Sequence, residues 1–347
     1  MPADNGASRV GDVVEPIPLQ NEDGVANGGE VRLSVVIPCH NVQAYLDDCV
    51  RSLQANLDDG YEFIFVDDAS TDRTHELLEQ AIGRLPGARL LHHDHNQGLA
   101  AARNTGLDAA GGRYVTFLDS DDLVVRGYYP ALVSAIARLG VDFVRTDHLR
   151  FTGTKRSIDR IQFGPRMQAL EPRTGILPAN RNTSVDYPFA WAGIFNRRLI
   201  DNGLLYFDPE LRTCEDRPWI WRLHLQAESM AVVGLLGVLY RRDIKGSLSQ
   251  VTDDRQFDFI PAFDQILTDA RADRDAERFL PKAIRSYCAI MYHQLSRLDQ
   301  YQSQLATQLT RRCAEAISRI PRSELRPVMA GLDRDRAKRI NQLLKAA

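Results

Sequence analysis

From Leu33 onward the chain alternates short apolar runs with amphipathic stretches. Leu33-Ser-Val-Val-Ile-Pro38 is an apolar run of strand length ended by proline, and Val42, Leu46, Val50 and Leu53 then fall on one helical stripe. Tyr61–Val66, Ala88–His92, Arg113–Leu118 and Val141–Val144 read as further strands, with helices over Arg73–Gly83, Ala100–Ala110 and Tyr128–Leu139 between them. Strands alternating with helices at this spacing predict right-handed crossovers and a mostly parallel sheet covered on both faces, an α/β fold. In such sheets ligands bind beyond the carboxyl ends of the strands. Polar clusters stand at those ends: Cys39-His40-Asn41, Asp67-Asp68, His93-Asp94-His95-Asn96 and Asp119-Ser120-Asp121-Asp122.

The pattern breaks up between Arg150 and Leu177, then resumes with a strand over Phe189–Phe195 and a helix near Arg197–Asn202. Another helix opens at Thr213-Cys-Glu-Asp-Arg-Pro218, and two short strands follow, Met230–Val233 and Leu235–Tyr240. After Asp253 only helices are predicted: up to Ala272, then Pro281–Tyr301, Leu305–Ile320 and Asp333–Lys345. The expected organisation is a loose tail over 1–30, a catalytic domain over 31–252 and a helical appendage over 253–347.

Composition narrows the classes. A length of 347 residues with 44% hydrophobic and 26% charged positions is ordinary for two globular units. A net charge of -3 argues against a nucleic-acid partner. Five scattered cysteines without a C-x-x-C pair suggest a reducing cytoplasm, and neither a membrane span nor a signal peptide is visible. The stretch from Arg311 to Lys345 carries ten bases against four acids, which suggests either a solvated bundle face or peripheral contact with an anionic membrane.

Each candidate motif also has a structural explanation. Asp119-Ser-Asp-Asp122 can clamp a divalent cation together with a nucleotide diphosphate, or simply cap a helix. In Val66-Asp-Asp-Ala-Ser-Thr-Asp72 one polar residue caps the next helix, while an acid on the strand end can accept a base N–H. Thr213 with Asp216 forms a T-x-x-D capping pattern, with Pro218 suited to a first helical turn. Successive strand residues point to opposite faces, so His92-His-Asp-His95 is a strand end and not a metal cluster. Trp191, Trp219 and Trp221 are expected in the core, Trp191 alone keeping a chance of meeting an acceptor.

Taken in order, Ser34-Val-Val-Ile-Pro-Cys-His-Asn41, Val66–Asp72, Asn96-Gln-Gly-Leu-Ala-Ala-Ala-Arg-Asn104 and Asp119-Ser-Asp121 resemble the family 2 glycosyltransferases of the GT-A fold. The resemblance implies inverting transfer of a sugar from a nucleotide-sugar, most often a UDP-sugar, assisted by Mn or Mg. It implies that Pro38 and His40 line the nucleoside pocket, that Asp68 reads the base with Asp67 beside it, and that Arg103 supports the base or diphosphate. Asp119 would reach the ribose, with Ser120 in the same nucleotide-sugar site, and Asp121 would take the metal with Asp122 sharing it. His40 departs from the family pattern, where a small or aromatic residue is common. Asp216 would be the catalytic base and Glu215 the neighbour that positions it. Arg242, Ser247 and Ser249 would close over the diphosphate, although a plain surface loop fits the same residues. The implied acceptor is a glycan, polymer or lipid-linked hydroxyl of a bacterial envelope. The competing classes are a nucleotide-sugar-binding module without transfer activity and a nucleotidyltransferase. The second would require a Gly- and Lys/Arg-rich phosphate loop that Pro38-Cys-His-Asn41 does not supply.

Overall fold

The computed structural model describes residues 31–242, 244 and 251–346; the expected tail and the loop residues Ser247 and Ser249 lie outside these. Val31–Ala347 form one compact unit. Four strands, β1 (Leu33–Cys39), β2 (Tyr61–Asp67), β3 (Ala88–His92) and β4 (Tyr114–Phe117), make the parallel half of the sheet in the order β3-β2-β1-β4. Leu33 pairs with Tyr61 on one side and Tyr114 on the other. Every residue of β1 and β2 is buried, which is why they read as continuous apolar runs and do not alternate. The crossovers are α1 (Leu46–Gln54), α2 (Thr74–Ile82) and α3 (Leu99–Ala109). Gly106 lets α3 lie close on β1, since a Cβ there would stand 2.3 Å from Val36 Cγ1.

The sheet continues through β5 (Leu123–Val124), α4 (Tyr128–Leu139), β6 (Phe143–Thr152), β7 (Lys155–Asp159) and β8 (Gly193–Asn196). After β8 come α5 (Arg198–Asp201), α6 (Asp216–Gln226) and β9 (Met230–Arg241). β8 is antiparallel to both β4 and β6, and β9 runs parallel to β6. The two strands expected over 230–240 are one strand, whose pairing with β6 shifts register at Thr146/Asp147 and makes it resemble two. The strand expected over 189–195 begins only at Gly193. Half-buried Phe189 and buried Trp191 lie just before it, packed against His148 and Tyr240. Trp191 is 3% exposed, which removes it as an acceptor platform.

The remaining helices are α7 (Phe259–Ala272), α8 (Ala276–Leu295), α9 (Ser303–Ser318), α10 (Arg322–Ala330) and α11 (Arg334–Ala346). α8 starts ahead of Pro281, and α10 was not anticipated because Pro327 interrupts its pattern. None of the described helices is long and apolar enough to cross a membrane. The loop entering α6 leans on the C-terminal helices. Arg212 pairs with Asp254 at 3.1 Å and Asp258 at 3.2 Å, and Thr213 Oγ1 donates to the Arg255 carbonyl at 2.7 Å. A chain ending at Asp253 is therefore expected to lose its cooperative melting transition. A truncated protein melting within a few degrees of the full chain would show that these helices are dispensable for folding.

Candidate active site

The carboxyl ends of β1, β2 and β4 and the N-terminus of α6 contribute the site. Three of its loops hold a non-glycine residue at positive φ: Asn41 (53°), Ala69 (51°) and Cys214 (61°). Such conformations cost free energy and persist where surrounding contacts fix them. Asn41 shows how: its backbone N–H donates to Ser70 Oγ at 3.1 Å, and its Oδ1 accepts from the Thr71 N–H at 2.8 Å. Asp72 Oδ1 accepts the Thr74 N–H at 2.9 Å, the capping contact expected at the start of α2.

Asp67 and Asp68 are neighbours on a strand end, and their carboxylates take different partners. Asp68 is 3% exposed. Its Oδ1 accepts from His93 Nδ1 and the Gln97 N–H, and its Oδ2 from Asn96 Nδ2 and the Gly98 N–H, all at 2.8–3.0 Å. A carboxylate offers about four acceptor positions, and protein donors occupy all of them. These contacts make Asp68 the anchor of the turn that starts α3. The Asp67 carboxylate turns to His75 and His92. Ser120 is also committed to the protein, donating to the Pro38 carbonyl at 2.8 Å. Pro38 itself is buried, whereas His40 is exposed at the rim, its Nδ1 2.8 Å from the Asp68 carbonyl oxygen.

α3 carries Arg103 into the middle of the site. Its guanidinium is buried, donating to Asp119 Oδ1 at 3.0 Å and Glu215 Oε1 at 2.7 Å and resting 5.1 Å from the centre of the Phe207 ring. One cation thus joins the acid cluster after β4 to the acidic pair at α6. Glu215 is thereby held in place by Arg103. Asp216 is half-buried with no hydrogen-bonded cap in α6, so the T-x-x-D capping box does not form. Burial, then the Glu215 charge, push its carboxyl up to about 7. Arg145 is a further basic residue of this region that sequence reasoning missed. It is fully buried on β6, donates from Nη2 to the Tyr187 and Phe189 carbonyls, and adds a positive charge to the surroundings of Asp216.

The acid cluster is electrostatically unfavourable as it stands. Burial and then Asp119 push Asp121 up to about 7, and burial with Asp121 and Asp119 pushes Asp122 well above its ordinary range. Asp122 Oδ1 accepts the Arg241 N–H at 2.7 Å, while its buried Oδ2 has no partner among the described residues. A divalent cation fits this donor set, because it would relieve the repulsion and satisfy the orphaned oxygen. Arg241 lies against these acids, its Nε donating to the Asp121 carbonyl at 3.0 Å, and Arg242 Nη1 reaches the Tyr240 hydroxyl at 3.0 Å. A carboxyl with a raised folded pKa binds its proton more tightly when folded, so its stabilising effect belongs to low pH and is lost as pH rises toward about 7. Asp121→Asn, without added metal, is therefore expected to raise the melting temperature at about pH 8. The gap should close as the pH falls toward about 4; equal melting at both would show Asp121 is not crowded.

Residues 34–202 match Glycosyl transferase family 2. That stretch is a family 2 glycosyltransferase domain. Among similar proteins, Uncharacterized glycosyltransferase EpsJ of Bacillus subtilis (strain 168) is 26% identical over 68% of this chain and 66% of its own length, just under two thirds. Glycosyltransferase GlyG of Streptococcus pneumoniae serotype 4 is 24% identical over 78% of this chain and 92% of GlyG. The solved structure of S. aureus TarS 1–349 in complex with UDP-GlcNAc aligns with a TM-score of 0.70 at 19% identity, covering 90% of this chain and 89% of that one. The chain thus has the GT-A fold that its motifs imply, built around a family 2 glycosyltransferase domain.

Proposed function

We propose that the enzyme transfers a sugar, with inversion, from a UDP-sugar to a hydroxyl of a glycan, polymer or lipid-linked acceptor, and that Asp216 is the general base. The observation that carries this reading is Asp216 itself. It is a half-buried carboxyl at the start of α6, bound to no cap, raised to about 7 and fixed next to the Arg103–Glu215 pair. Its raised pKa suits proton abstraction near neutral pH. Asp216 takes the proton of the acceptor hydroxyl as its oxygen attacks the anomeric carbon from the side opposite the diphosphate. The bond from that carbon to the diphosphate breaks, and its electron pair leaves with the nucleotide. Asp121, with Asp122 behind it, would hold a Mn or Mg ion whose chemistry is to neutralise the leaving diphosphate. Arg241, fixed against Asp121 and Asp122, adds positive charge on the same side, a part assigned by motif to Arg242. His40, exposed at the rim, and Asp119, beside Arg103, would meet nucleoside and ribose.

UDP as the nucleotide is favoured by the fold shared with TarS, which was crystallised with UDP and with UDP-GlcNAc. A thermal-shift panel of nucleotide-sugars, each with and without Mn, tests the donor. A ligand at a hundred times its Kd stabilises by about 2.7 kcal/mol. UDP-sugars should give that shift with Mn and less without it. A response confined to another nucleotide would overturn the donor assignment, and one indifferent to Mn would overturn the metal.

A further inference from the structure

We propose that Asp67, His75 and His92 form a zinc-type cation site, separate from the acids of 119–122, that ties the end of β2 to α2 and β3. His75 Nδ1 lies 2.7 Å and His92 Nδ1 3.3 Å from the same oxygen, Asp67 Oδ2. One ligand atom from each residue falls within 4.8 Å of the others, the only such trio among the described residues. Zinc bonds of about 2.0–2.2 Å to nitrogen and oxygen place neighbouring donors roughly 3–3.5 Å apart, so small side-chain rotations complete the set. Two imidazoles and one carboxylate are borderline donors, which favours zinc over magnesium or calcium.

Three features beyond the distances mark a site more than a polar contact. Asp67 is fully buried, and its other oxygen, Oδ1, is fixed by the Ser70 N–H at 3.1 Å, so Oδ2 is held in one place facing the rings. The two rings meet edge-on with centroids 5.0 Å apart, and with side-chain exposures of 41% and 46% they leave the remaining coordination positions open to water. Glu79 Oε1 lies 3.7 Å from His75 Nε2, the ring nitrogen away from Asp67. That is beyond hydrogen-bond distance, and a side-chain rotation would bring the carboxylate onto the ring N–H, where it would be the usual outer partner of a metal-bound histidine and select the tautomer with Nδ1 free to ligate. The trio draws on three elements. His93 faces the other way, to Asp68 and Thr105, so the four-residue His92–His95 run forms no cluster by itself.

The test is zinc chloride titrated into the full-length protein by equilibrium dialysis, with nucleotide absent. It compares the wild-type chain with His75→Gln, His92→Gln, Glu79→Gln and Asp121→Asn. Glutamine retains a donor for Asp67, and circular dichroism confirms that each variant is folded. One zinc per chain is expected, kept in Asp121→Asn. Its affinity should fall about tenfold in Glu79→Gln, at the low end of the ~10–100-fold cost of removing an outer partner, and by more than a hundredfold in either histidine variant. Cobalt bound in place of zinc should show an absorption band that both histidine variants abolish. Failure of the wild-type chain to bind zinc, or equal binding in folded His75→Gln and His92→Gln, would overturn the site. Loss of zinc in Asp121→Asn alone would assign the ion to the acid cluster instead.

Discussion

Asp216→Asn is expected to lower the initial rate of sugar transfer by ~10²–10⁴-fold at saturating donor, the usual contribution of a positioned general base. Asparagine keeps the shape and one acceptor oxygen but cannot take the proton. No hydrogen bond of α6 depends on the Asp216 side chain, so the melting temperature should not fall. It should rise slightly near neutral pH, because the variant removes a carboxylate that burial and Glu215 disfavour. Nucleotide affinity should be retained, since Arg103 and the acids after β4 are untouched. In the wild-type enzyme the rate should climb with pH through about 7, as Asp216 loses its proton, and the residual activity of the variant should lack that limb. Near-normal turnover in a well-folded Asn variant would remove Asp216 from the chemistry. Glu215 would be a poor replacement, because its carboxylate is already held by Arg103 at 2.7 Å.

The parallel half of the fold was legible because β1, β2 and β4 are buried throughout, and each apolar run ends in a polar cluster. Elements set by tertiary contact were not. β5 is two residues long, and the division of β9 is a register shift imposed by β6. The same contrast holds in the site. The convergence of Asp67, Asp68, Asp119 and Asp121 on one sheet edge follows from topology. The free or committed state of each carboxylate depends on donors elsewhere in the chain. Asp68 is saturated partly by the backbone of 97–98, and Ser120 is consumed by Pro38. Arg241 and Arg242 are adjacent at a strand end and take different partners, which no motif distinguishes. His75 and His92 meet only because α2 returns beside β3.

The second large effect is expected at Arg103. Its buried guanidinium touches both the acid cluster and the α6 pair, and Arg103→Met removes the charge while keeping an apolar stem of similar length. Breaking a buried pair by deleting one partner costs about 3–5 kcal/mol, because the surviving charges are left unpaired in a low-dielectric interior. Glu215 is 7% exposed at the side chain, whereas Asp119 is 25% exposed, so most of the cost should fall on Glu215. The Arg103→Met/Glu215→Gln double variant should recover much of the lost stability, since a neutral amide is far cheaper to bury than an unpaired carboxylate. It should not recover activity, because the link that sets Asp216 relative to Asp119 is still missing. The measurement is the urea midpoint of each single variant, the double variant and the wild-type chain, beside transfer rates on the same preparations. Additive losses in the double variant would mean that Arg103 and Glu215 act independently, and the coupling between the two halves of the site would have to be sought elsewhere.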